Sequence, residues 1–123
     1  MENGFIDTKV IGLSIEVHKE LGPGLLESSY EACLMYELHK NGILAKQQAL
    51  LPINYKDTKI VNGYRIDILI PNVLILELKS INKILPIHIA QTLTYMKLSN
   101  IKTGLIINFN VTKLANGLKR LKL

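Results

Sequence analysis

A chain of 123 residues, 48% apolar and 20% charged, has the composition of one folded domain spanning 1–123 and excludes a disordered segment. Fifteen Lys and Arg against ten Asp and Glu give a net charge of +5 and a pI near 9.4, a bias toward polyanionic partners that surface lysines kept for solubility also produce. The single cysteine, Cys33, excludes an internal disulfide, and the lack of any Cys/His cluster excludes zinc-site spacing.

The first residues, MENGFIDTK, carry early acids and no apolar run ending in a cleavage site. No apolar stretch approaches the roughly 20 residues that span a bilayer. The expectation is a cytoplasmic protein with no membrane partner.

In chain order, Val10, Leu13 or Ser14, Val17 and Leu21 recur at helical spacing, widened by Ile11 and Ile15, and predict an amphipathic helix over Thr8 to Leu21. Gly22-Pro23-Gly24 stops it. A second helix is predicted over Leu25 to Asn41, with Leu26, Tyr30, Leu34 and Leu38 on its buried face and His39, Lys40 and Asn41-Gly42 at its end. Glu27 lies within about 20° of Leu34 and Leu38 around this helix, which sets a carboxylate at the edge of the apolar stripe. The alternative is that it only complements the positive helix terminus from the first turn.

Three strands follow, over about 44–55, 59–70 and 73–80, with Pro52 making the first an edge strand or an interrupted one. Pro86 opens a third helix to about Leu98, with Ile89, Leu93 and Met96 toward the core and His88, Gln91 and Tyr95 as a polar-aromatic stripe. Thr103 to Phe109 reads as a buried strand. The basic tail VTKLANGLKRLKL fits helix and strand equally. The sum is an α/β domain with a mixed sheet, an antiparallel meander followed by a crossover helix.

Within Tyr64 to Ser80, two strongly apolar runs carry Asp67, Glu77 and Lys79. Ionisable groups are costly in such runs unless they find partners or a metal. Whether the two acids meet is a matter of parity. A two-residue turn at Pro71-Asn72 opposes Asp67 to Leu76, and a three-residue loop of Pro71 to Val73 opposes it to Glu77.

If Asp67, Glu77 and Glu27 converge beside Lys79, the local charge of about −2 calls for a cation. Oxygen-only ligands suit Mg²⁺ or Mn²⁺, which would polarise a phosphoryl oxygen and acidify an attacking water, with Lys79 orienting that water or stabilising charge on phosphorus. The competing reading of Glu77-Leu78-Lys79 is an ordinary salt-bridged pair on one strand face.

Gly24-Leu25-Leu26-Glu27-Ser28-Ser29-Tyr30 matches a G-x-x-E-x-x-Y signature, and Tyr64-Arg65-Ile66-Asp67, Glu77-Leu78-Lys79 and Ala90-Gln91-Thr92-Leu93-Thr94-Tyr95 follow in order. From about Thr8 to Arg120 the chain resembles the GxxExxY proteins, which look like members of the PD-(D/E)xK nuclease superfamily. The resemblance implies an αβββαβ core with Leu25 to Asn41 as its first helix and Thr8 to Leu21 as an N-terminal addition. It also implies Glu27 as the helix carboxylate near the metal, Asp67 and Glu77 as metal ligands with the Leu78 carbonyl, Lys79 as the catalytic lysine, and Gln91 with Tyr95 supporting the site or the substrate. Ile66 stands where the superfamily's name has proline.

Tyr30 either orients Glu27 through its hydroxyl or is a core tyrosine with a satisfied hydroxyl. His18, His88 and Cys33 read as helix-end, solvated and core residues, and Lys113, Lys119, Arg120 and Lys122 as phosphate contacts or a solvated face. The expected function is a divalent-metal nuclease acting on nucleic acid, with DNA placed ahead of RNA. The alternative is a non-catalytic nucleic-acid-binding or assembly module that retains the fold. A chain this small has little surface to wrap a duplex, which is compatible with a homodimer.

Overall fold

The computed structural model describes the backbone from residue 3 and the side chains from residue 6, through to residue 123. Helix α1 spans Asn3–Leu21, beginning upstream of the predicted Thr8, and α2 spans Glu27–Lys40. Between them Gly22 and Gly24 take φ of +70° and +95°, left-handed values that glycine adopts without a Cβ penalty. The strands are β1 Lys46–Leu50, β2 Ile53–Tyr55, β3 Thr58–Ile60, β4 Arg65–Ile70, β5 Leu74–Lys79, β6 Thr103–Asn108 and β7 Leu118–Lys122. Helix α3, Pro86–Ser99, crosses over between β5 and β6, and a 3₁₀ turn at Leu114–Gly117 precedes β7.

The main sheet runs in the order β1-β4-β5-β6-β7. Its pairs are antiparallel except β5 with β6, which the α3 crossover makes parallel. Taken in order, α2, β1, β4, β5, α3 and β6 form the expected αβββαβ core, with α1 and β7 added. The predicted strands 44–55 and 59–70 are each divided. Pro52 interrupts the first, and β2 pairs with β3 as a separate two-stranded ribbon. The undecided tail is a strand, tied to α1 where Arg120 pairs with the buried Asp7 at 3.4 Å.

Helices α1 and α2 cover one sheet face, burying Val10, Leu34, Leu38, Ile68, Leu76 and Ile107 together, and α3 covers the other with Ile75, Tyr95, Met96 and Ile106. Side chains two apart on a strand should share a face. That rule breaks at one place. Ile68 belongs to the α1/α2 side while Ile66 joins the α3 side, and Ala45, just before β1, and Ala49, within it, divide in the same way. The break falls where Gln48, at φ +51°, lies across from Asp67, between the pairs Gln47–Ile68 and Ala49–Ile66. A left-handed residue inside a strand bends and re-aims it. None of the helices is long and apolar enough to cross a membrane among the described residues.

Candidate functional site

The β4–β5 hairpin carries the three-residue loop. Val73 N–H donates to the Ile70 carbonyl at 3.0 Å, Asn72 takes φ +65°, and the pairs run Ile70–Leu74, Leu69–Ile75 and Ile68–Leu76. The next facing pair is Asp67 and Glu77. There the backbone ladder gives way to side chains. Asp67 N–H donates to Glu77 Oε2 at 3.0 Å, and Asp67 Oδ2 accepts from Leu78 N–H at 2.8 Å. Each carboxylate thus locks the other's strand and holds the two acids together.

The electrostatics follow from burial. Glu77 is only 5% exposed, and loss of water, then the neighbouring Asp67 charge, push its pKa from 4.5 to about 8. A hydrogen bond from the Asp67 backbone and the charge of Lys79 oppose this, and Glu31 adds to it. Lys79 is half-buried on the same strand and forms an ion pair with neither acid. Among the described residues the ion pair present is Asp7 with Arg120. The salt-bridged alternative for Glu77 and Lys79 is therefore not what the chain adopts.

Glu27 does not join the pair. It is exposed, and its Oε2 accepts from Ser80 N–H at 3.2 Å, while Ser80 Oγ donates to the Leu25 carbonyl at 2.6 Å. Glu27 thus ties the start of α2 to the end of β5. The helix carboxylate connected to the pair is Glu31, one turn later and 8% exposed. It accepts from Gln47 Nε2 at 2.6 Å and from Gln48 Nε2 at 2.9 Å, and Gln48 also reaches Asp67 Oδ1 at 3.4 Å. The left-handed turn at Gln48 is what lets neighbouring glutamines grip one carboxylate, since in a regular strand they would point to opposite faces. The angular reasoning that singled out Glu27 applies equally to Glu31, seven residues before Leu38.

Of the two readings of Tyr30, the chain adopts the core one. It is fully buried, its hydroxyl donates to the Gly22 carbonyl and accepts from Leu25 N–H, and its ring stacks on Phe109 at 4.3 Å. It shapes the loop before Glu27 and contacts neither the carboxylate nor solvent. On α3, Gln91 Nε2 donates to Tyr95 Oη at 3.1 Å. Tyr95 packs with Ile66, Ile75 and Ile106 on the α3 side of the sheet, and there burial, then the charge of Glu77, raise its pKa.

Asn108 was not anticipated. Buried opposite Lys79 in β6, it accepts from Ile81 N–H at 3.1 Å and donates to the Ile81 carbonyl at 2.9 Å, so it clamps the chain just after the lysine. A lone Asn at a strand end carries no pattern that announces this. His18 and His88 are spent structurally, on the Val111 carbonyl and on Leu85 N–H. Cys33 is half-buried and packs against the core.

Among the described residues no three or more His, Cys, Asp or Glu side chains converge at metal-ligand spacing. The pair still suits a hard ion, because Mg²⁺ is commonly held by one or two carboxylates with water and substrate oxygens completing the shell. Glu77 Oε1 accepts no hydrogen bond, and since every fully buried side-chain polar atom described has a partner, that oxygen keeps some contact with solvent.

The family model for the PD-(D/E)XK nuclease superfamily matches residues 5–121. No curated protein and no solved structure matches the chain significantly.

Proposed function

Because the chain belongs to the PD-(D/E)XK nuclease superfamily, we propose that it is a divalent-metal-dependent nuclease of the cytoplasm, cleaving phosphodiester bonds in nucleic acid, with DNA placed ahead of RNA. Members of this superfamily are nucleases, act on nucleic acid and generally use divalent metals. The observation that carries the reading is the facing of Asp67 and Glu77 at the parted end of one hairpin, each bonded to the other's strand, with no cation among the described residues paired to them.

In this reading Asp67, Glu77 and the Leu78 carbonyl would hold Mg²⁺ or Mn²⁺. The ion, when bound, supplies positive charge to a phosphodiester and acidity to water. Lys79, next but one to Glu77, orients the attacking water or takes up charge on the phosphate oxygens. Glu31 acts through Gln48 to fix Asp67. Glu27 sets the distance between α2 and the end of β5, and Gln91 with Tyr95 forms the wall toward the substrate.

The test is a cleavage panel with Mn²⁺ over single-stranded, duplex and branched DNA and RNA. Asp67→Ala and Glu77→Ala should each abolish cleavage and keep the far-UV circular dichroism of the parent. Full activity in either variant would refute the assignment. Binding of nucleic acid with no cleavage by the parent would favour the binding-module alternative.

A further inference from the structure

On the α3 face of the sheet lies a cleft of about 320 Å³ whose walls include Ile53, Tyr64, Ile87, Gln91, Tyr95 and Leu98. That volume is at the small end of ligand clefts. Tyr64 is 43% exposed and Ile87 68%, large apolar surfaces left open at the mouth of a recess. The Tyr64 ring stands 6.4 Å from that of Tyr95 at an interplanar angle of 58°, so the two phenols make a corner. At that corner the Gln91 amide and the Tyr95 hydroxyl present both donors and acceptors.

Among the described residues no Lys or Arg lines the cleft, which makes it a poor receptor for a phosphate. It suits a flat, aromatic group with polar edges. Its continuity with the site comes through Tyr95, which lines the cleft and packs in one cluster with Ile66, next to Asp67, with Ile75, on the Glu77 face of β5, and with Ile106, the β6 partner of Glu77. A ligand whose charged phosphate meets those acids, through an ion, would therefore present its neighbouring base here.

We propose that this cleft receives one unstacked nucleobase adjoining the scissile phosphate, so that the substrate is a single strand or a frayed end and not a continuous duplex. Inside a duplex both faces of a base are covered by its neighbours, and only a base out of the stack can lie against an aromatic wall. Stacking on tyrosine is tolerant of sequence, while the Gln91 amide and Tyr95 hydroxyl provide a modest reading of the base edge. The inference rests on the nuclease reading for the position of the phosphate, but base capture itself requires no cleavage.

The experiment compares the parent, Tyr64→Ala and Ile87→Trp, the last filling the mouth from an exposed position. The probe is a short DNA strand containing 2-aminopurine, alone and annealed into a duplex, followed by anisotropy and base fluorescence in Ca²⁺, with melting temperatures as folding controls. The parent should prefer the single strand and quench the probe. Both variants should lose the quenching and bind the single strand about tenfold more weakly, with duplex binding unchanged.

Equal affinity of the parent for strand and duplex, or no effect of either folded variant, would overturn the proposal. So would a change of oligomeric state in the variants, which would make the cleft a protein contact. If cleavage fails in every metal while the binding pattern holds, the nuclease reading falls and the base cleft stands. Cleavage with binding indifferent to both variants removes the cleft alone.

Discussion

Replacing Glu77 by glutamine should raise the stability of the metal-free protein at pH 8 and leave it almost unchanged at pH 5. In the fold, burial first and Asp67 second move the Glu77 pKa from 4.5 up to about 8. A carboxyl group raised in this way favours folding in its neutral form. Its contribution is complete below the unfolded value and is lost as pH rises through the folded one. At ~1.4 kcal/mol per unit, the loss between pH 5 and pH 8 is about 3 kcal/mol.

Glutamine keeps the shape and can still accept from Asp67 N–H, yet carries no charge to desolvate. Urea unfolding of both proteins in EDTA at several pH values measures the effect, and subtracting one curve from the other removes every group the two share. The difference should grow in the variant's favour as pH rises. Mn²⁺ added at pH 8 should stabilise the parent more than the variant. A difference that stays flat from pH 5 to pH 8 would show that Glu77 is not held away from water beside a second acid, and the electrostatic reasoning would fail.

Tyr30→Phe strips a partner from both the Gly22 carbonyl and Leu25 N–H, and chemical unfolding should show a loss of about 1 to 3 kcal/mol with turnover of the remaining folded enzyme unchanged. Gly117→Ala would drive a Cβ into the Asn108 carbonyl oxygen. Either Asn108 or the 3₁₀ turn must then shift, and unfolding should show a loss of about 1 to 3 kcal/mol.

What could be read in the residues divides along physical lines. Elements with strong apolar periodicity, α2, β5 and β6, are legible in the residues, as is the body of α1 though not its start, while the αβββαβ core follows from the family resemblance. The β2–β3 ribbon was missed as a separate unit because its residues are mostly exposed and give no alternation against a core. The meeting of Asp67 with Glu77 was reduced to one residue of parity but could not be decided, since loop length turned on whether Asn72 took a left-handed conformation.

Glu27 and Glu31 are one helical turn apart, and sequence alone had no means of telling which reaches β1 and which reaches Ser80. Gln48 was less legible still. Glutamine seldom adopts positive φ, and only the packing of α2 against β1 and β4 over-determines it there. The tail resisted assignment because its last strand is set by pairing with β6 and by the Asp7–Arg120 contact, both distant in sequence.

The parallel joining of β5 to β6 has a consequence for the order of assembly. The hairpin with its two acids is local and can form from about fifteen consecutive residues, but its shielding from water cannot. Ile106 flanks Glu77 and Asn108 clamps the chain beyond Lys79, and both arrive only after the α3 crossover. On a growing chain the acids therefore emerge first as ordinary hydrated carboxylates. They become an electrostatically loaded pair when the sixth strand docks, a long-range step that chain topology makes one of the slower ones.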